Sequence, residues 1–161
     1  MFQSVLSGGS KKMKIFKQFA ILTVTALLCG GVPAGPLDGI SETGAKFEKE
    51  SNISSDSLRV FTADKNEYQT SILFSPPAVL KNFKVLLLTF KDYTDAGAIF
   101  DQEEIYSAGD VSAEKPLLVK LTFIGSIPNY GISYEDNSGA VKKFTISQSG
   151  FDGSLELTPF K

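Results

Sequence analysis

Through most of residues 58–161 apolar side chains return at every second position. A helical bundle would need them every three or four, so the chain is written for strands with one buried face. Tyr68, Thr70, Ile72 and Phe74 alternate with Gln69, Ser71 and Ser75, and Pro76-Pro77 ends that run because proline cannot donate to a ladder. Leu117, Val119, Leu121 and Phe123 share one parity; Lys120 and Thr122 take the other. Tyr130, Ile132 and Tyr134 form a third alternating set, Phe144 and Ile146 a fourth, and Leu155 and Leu157 a fifth.

Two segments depart from this pattern. Residues 83–90 are apolar on both parities, with Phe83, Val85 and Leu87 against Leu86, Leu88 and Phe90, as expected of a central strand covered on both faces. Leu87 is therefore expected in the middle of the core. Residues 98–106 carry Ile99, Phe100, Ile105 and Tyr106 around the acidic centre Asp101-Gln102-Glu103-Glu104. Between the alternating runs, Asp136-Asn137-Ser138-Gly139 is a hairpin turn in which Gly139 can supply the positive φ.

Strands are expected near 58–62, 68–74, 83–90, 98–106, 117–124, 130–135, 141–147 and 154–160. With turn signals between them and no long amphipathic helix, the fold class is all-β: an antiparallel two-sheet β-sandwich of immunoglobulin-like type, with a small β-barrel as the alternative. The cysteine and tryptophan markers of antibody domains are absent. Residues 35–57 are poor in large apolar side chains and read as a flexible leader or tether, with a short helix possible around 45–51. The β-sandwich domain is then 58–161.

The first 34 residues read as an export signal. Met13, Lys14 and Lys17 make a positive start, Phe19 to Leu28 an apolar run, and Val32-Pro33-Ala34 a small-residue cleavage site before Gly35. Such a run is too short for a bilayer, which needs about 20 residues. Gly8-Gly9-Ser10-Lys11-Lys12 resembles a translated purine-rich ribosome-binding site, so the expected start is Met13 and the source bacterial. The product is expected to be secreted or periplasmic. Cys29 also stands where a lipid-attachment cysteine would, although Leu28 and Ala26 depart from the usual residues there. A lipid-anchored envelope protein is the alternative.

What residues 35–161 lack limits their chemistry further. They hold no His, Cys, Met or Trp, and Arg59 is their one arginine. Ser-His and Cys-His catalysis is thereby excluded, and a transition-metal site would have to be all carboxylate. Their net charge is −6, a balance that repels nucleic acid and anionic lipid. Ser112 and Lys115 match the four-residue spacing of penicillin-binding enzymes, but Pro116 follows at once and the companion motifs are missing. Asp101, Glu103 and Glu104 could hold a glycosidase-like acid and base if a cleft joined them. Calcium is the one cofactor left open, through Asp92, Asp95 and Asp101, although their spacing is not that of an EF-hand.

Tyr130 and Tyr134 share parity with Ile132 and belong to the core; Tyr93 and Tyr106 flank the acidic stretch as surface candidates. The function expected is that of a non-catalytic exported module that binds a protein or glycan at the cell envelope. Its contact residues are expected in loop 91–111, chiefly Tyr93, Asp95, Asp101, Glu103, Glu104 and Tyr106. A secreted protease inhibitor and a small carboxylate-dependent hydrolase are the alternatives, and apolar anchors at loop tips would favour the binding readings.

Overall fold

The computed structural model describes residues 39–161 apart from Ser55 and Ala96; the expected signal segment, the Met13 start and Cys29 lie outside the described residues. The alternating runs become strands of two sheets. The first contains β1 (Lys46–Phe47), β2 (Arg59–Thr62), β3 (Thr70–Phe74) and β6 (Leu117–Leu121), in the order β1-β3-β6-β2. The second contains β4 (Leu80–Thr94), β5 (Gly97–Val111), β7 (Tyr130–Glu135), β8 (Val141–Gln148) and β9 (Leu155–Pro159), in the order β5-β4-β7-β8-β9. Among the described residues neither sheet closes into a barrel. The pairings are antiparallel except β2 with β6, which run parallel, so the all-antiparallel expectation is corrected at that edge.

The sheets pack face to face through the parity the sequence marks as apolar. Ile72, Phe74, Leu117, Val119 and Leu121 of the first sheet share one core with Phe83, Val85, Ile132, Phe144 and Ile146 of the second. Phe74 meets Phe83 with ring centroids 5.1 Å apart, a direct contact across the layers. Each such side chain, taken fully out of water, contributes roughly 1.5–3 kcal/mol. Tyr130 and Tyr134 lie in this core, as their parity requires.

Residues 39–54, expected within a loose leader, are instead built into the fold. A short helix α1 (Gly39–Thr43) precedes the stretch 45–51 expected to be helical; there β1 stands instead, followed by a single 3-10 turn at Glu50–Asn52. Gly39 is packed so closely that a Cβ there would stand 2.8 Å from the Phe144 ring and 2.9 Å from Leu157. Lys142 Nζ holds Glu42 at 2.6 Å and Asp136 at 3.3 Å, fastening α1 to β8 and its turn. Ala45 is buried in the core and Phe47 packs on it. The order of this segment comes from tertiary contact, which its low apolar content concealed.

Strands β1 and β2 occupy opposite edges of the first sheet, and Lys120 Nζ holds Glu50 at 2.6 Å on its outer face. Leu73 and Leu118 are buried, 7% and 0% exposed, although their parity points away from the inter-sheet core.

Strand β4 is apolar on both parities for the reason expected, yet Leu87 is not its most buried residue. Phe83 and Val85 face the inter-sheet core, where Leu87 is only half-buried, while Leu86 and Leu88 form a second cluster with Phe100 on the outer face. Replacing Ile132, fully buried on β7, with Ala is expected to cost about 2–5 kcal/mol in urea unfolding, and Leu87→Ala less than Ile132→Ala.

The β7–β8 turn has the chemistry read from its sequence. Gly139 adopts φ 82° and its amide donates to the Asp136 carbonyl at 2.9 Å. The Asp136 carboxylate accepts from the Ser138 hydroxyl at 2.6 Å, the Ser138 amide at 2.8 Å and the Ala140 amide at 3.1 Å. With the Ser138 hydroxyl contributing most, these bonds hold its pKa down to about 2. A depressed folded-state pKa stabilises the fold above the unfolded carboxylate range, near 3.8, and that contribution is lost as pH falls toward about 2. The gap in urea midpoint between the wild type and Asp136→Ala is therefore expected to be full at neutral pH and to close between about pH 4 and pH 2.

Candidate functional site

The region expected as a contact loop, 91–111, is the end of β4 and the whole of β5 in a hairpin of two 15-residue strands. Its acidic centre lies along β5, an edge strand of the second sheet. Asp101 is bound by Lys91 Nζ at 3.1 Å and Glu104 by Lys84 Nζ at 2.6 Å, both across the hairpin. Glu103 is exposed and stands opposite Leu87, and Asp95 is exposed in the turn. Tyr93 is 73% exposed near the tip, as expected. Tyr106 is not a surface residue: its ring stacks on Phe61 at 4.3 Å and packs against the core.

The structure does not assemble the calcium set. Among the described residues no group of three or more carboxylates is close enough to hold a metal ion. Asp92 accepts from the Tyr93 amide at 2.7 Å, and Asp101 is engaged by Lys91. None of Asp101, Glu103 and Glu104 lines any of the three principal cavities, so no such cavity joins two of them as an acid and base. Ser112 hydrogen-bonds to Glu114 at 2.8 Å and accepts from the Lys115 amide, the geometry of a turn.

Arg59 has a role the sequence reading missed. From β2 its guanidinium donates to the carbonyls of Ala108, Asp110 at 2.8 Å and Lys115 at 2.9 Å. Three carbonyl partners converge on one planar group, a geometry lysine cannot copy. Its isolation among eleven lysines was the only signal.

Apolar side chains do gather at loop tips, at one end of the sheets. The β2–β3 loop carries Tyr68, 75% exposed; the β6–β7 loop carries Ile124 and Ile127, 68% and 51% exposed; the β8–β9 turn carries Phe151, 99% exposed. Register places these loops together, since Thr70 pairs with Leu121, Tyr130 with Ile146 and Gln148 with Leu155. The sequence holds each residue, but only the pairing shows that they share an end.

Asp64 ties two of these loops. Its carboxylate accepts from the Thr122 amide at 3.0 Å, the Thr122 hydroxyl at 2.7 Å and the Tyr130 hydroxyl at 2.9 Å, and its carbonyl accepts from the Gln69 side chain. Burial first, and the bond to Asp64 second, push the Tyr130 phenol up to about 12.

A groove of about 810 Å³ lies on the outer face of the second sheet. The distal β4–β5 hairpin provides one wall through Tyr93, Ile99 and Phe100; β8 and β9 provide Thr145, Ser147 and Thr158. Phe160 closes the floor, its ring 5.7 Å from Phe100 in an edge-to-face contact.

Among the described residues no helix is long and apolar enough to cross a membrane. Compared with known proteins, the chain matches no family, no curated protein and no solved structure.

Asp64→Asn is expected to cost about 1–3 kcal/mol in urea unfolding, because it weakens three bonds to one buried-side acceptor. The Tyr130 titration, isolated as a phenolate-absorbance difference against Tyr130→Phe, should move down relative to the wild type, because the Asp64 charge and bond that help raise it are removed while burial remains.

Proposed function

We propose that this chain is a non-catalytic binding module, exported from a bacterial cell, that engages a protein at the cell envelope through the end of the two-sheet body where the apolar loop tips gather. The observation that carries this reading is the exposure of Tyr68, Ile124, Ile127 and Phe151 on three neighbouring loops. Aromatic and aliphatic anchors rimmed by polar residues are what a protein interface uses. Tyr68 and Phe151 are aromatic, but Ile124 and Ile127 are aliphatic and offer a sugar ring no stacking face, and this mix favours a protein over a glycan. A protease inhibitor would present its loops in the same manner. An immunoglobulin-like relationship belongs to this reading at the level of two packed sheets with functional loops at one end.

Binding through these residues needs no group that titrates near neutrality, since the chain has no histidine. A photo-crosslinking amino acid placed at Phe151 or Ile124 in the producing cell is expected to give one discrete adduct, and the same probe at Val141, at the other end of β8, none. Adduct yield should be flat between about pH 6 and 8. Phe151→Ser and Ile124→Ser should remove the adduct formed from a probe at Ile127 while leaving stability within about 0.5 kcal/mol. Turnover of an envelope polysaccharide that disappears in Glu103→Gln or Glu104→Gln would replace this reading with the hydrolase.

A further inference from the structure

We infer that the groove beneath the β4–β5 hairpin, which borders the loop end at Pro128, is a second binding site, and that its occupant is a single acyl chain whose polar head stays in solvent. The size of the groove, about 810 Å³, falls within the roughly 300–1,000 Å³ of small-molecule sites. Its lining comes from separate parts of the fold: the distal hairpin on one side, β8 with β9 on the other, Pro128 from the β6–β7 loop, and Phe160 in edge-to-face contact with Phe100 of the hairpin.

Polarity selects among occupants. The chain after residue 34 carries 18 carboxylates, yet among the described residues no Asp or Glu side chain lines this groove, and its one charged side chain is Lys161, which can meet an acyl head group at the rim. The floor is the face of a sheet, whose backbone groups are already committed to the β8–β9 ladder. Two of the hydroxyls at hand are engaged as well: Thr94 donates to the Gly97 carbonyl at 3.1 Å and Thr145 to the Thr158 carbonyl at 3.4 Å. A peptide lying here would bury an amide and a carbonyl per residue with few partners, and a sugar would bury several hydroxyls; each unmatched group weakens binding. A hydrocarbon chain brings no such groups and gains from every methylene it buries.

The test is a titration of the folded protein with the neutral dye N-phenyl-1-naphthylamine, followed by displacement with palmitate and, separately, with monopalmitoylglycerol. Saturable binding of one dye per chain is expected, with displacement by at least one of the two lipids. Palmitate acting alone would identify a free fatty acid, and the glycerol ester acting alone an acylglycerol. Thr158→Trp, which fills the groove from an exposed position, and Ser147→Asp, which puts a charge on its floor, should each weaken dye binding at least tenfold at an unchanged urea midpoint. Phe151→Ser, at the loop end, should leave dye binding as in the wild type. The proposal is overturned by a dye signal that never saturates, by equal binding in all variants, or by displacement with an apolar peptide or a neutral oligosaccharide but with neither lipid. Loss of dye binding in Phe151→Ser alone would move the dye to the loop end and equally overturn it.

Discussion

A strand that is apolar on both faces has to be covered twice, and β4 imposes that requirement on everything around it. Its inner face, through Phe83 and Val85, is met by the four-stranded sheet and becomes the main core. Its outer face, through Leu86 and Leu88, meets no third layer among the described residues. The chain supplies the cover from its own distal hairpin and its last residues: Phe100 joins the leucines, and Ala98 and Phe160 pack against them. The β4–β5 register is interrupted at Leu80/Phe83, Phe83/Lys84, Val85/Leu86 and Phe90/Asp92, and such interruptions locally bend and twist a strand pair. The groove is the space left between this improvised cover and β8–β9. It is thus a consequence of how β4 is buried, with walls fixed by the same contacts that stabilise the fold.

The second constraint is the set of strand edges. A 15-residue edge such as β5 exposes a long row of backbone groups that invites pairing with another chain. At its Val111 end this edge is closed by β2, through the Arg59 fork onto the Ala108 and Asp110 carbonyls and the Phe61–Tyr106 stack. Nearer the tip, Asp101, Glu103 and Glu104 crowd the same strand with charge, and a second strand laid there would have to desolvate them. The acidic cluster that resembles catalytic equipment in the sequence is accounted for as edge protection, with Lys91 and Lys84 balancing two of its members from β4.

Period two made the strands legible because each inward residue meets the opposite sheet, and the alternation of Tyr130, Ile132 and Tyr134 or of Phe144 and Ile146 records that directly. The Asp136 turn was equally legible, since its bonds are local. What escaped the sequence was set at a distance. Residues 39–47 bear few large apolar groups, and their order rests on Phe144, Leu157 and the β1–β3 pairing. Lys91, Asp92 and Thr94 look like loop residues because both faces of a projecting hairpin are wet, so β4 was expected to stop at Phe90 when it runs to Thr94. The same blindness hid the loop end and the groove, each assembled from residues far apart in the chain.

An exposed apolar tip binds well only if its loop is already held in place, because ordering a mobile segment consumes the free energy that the contact releases. Asp64 meets that condition for two of the three loops. Its bonds to Thr122 and Tyr130 reach both ends of the β6–β7 loop, which carries Ile124 and Ile127, while its carbonyl holds Gln69 beside Tyr68. The β8–β9 turn is held separately: Asp152 accepts from the Ser154 hydroxyl at 2.7 Å, and the Gln148 side chain donates to the Gly153 carbonyl at 2.9 Å. Phe151 projects from a turn whose backbone is braced on both sides while its ring touches solvent almost everywhere. Rigid loops with uncovered apolar ends gain nothing for the isolated fold, since burying those side chains would have stabilised it. Held in place and exposed among the described residues, these side chains are the ones on which the proposed contact rests.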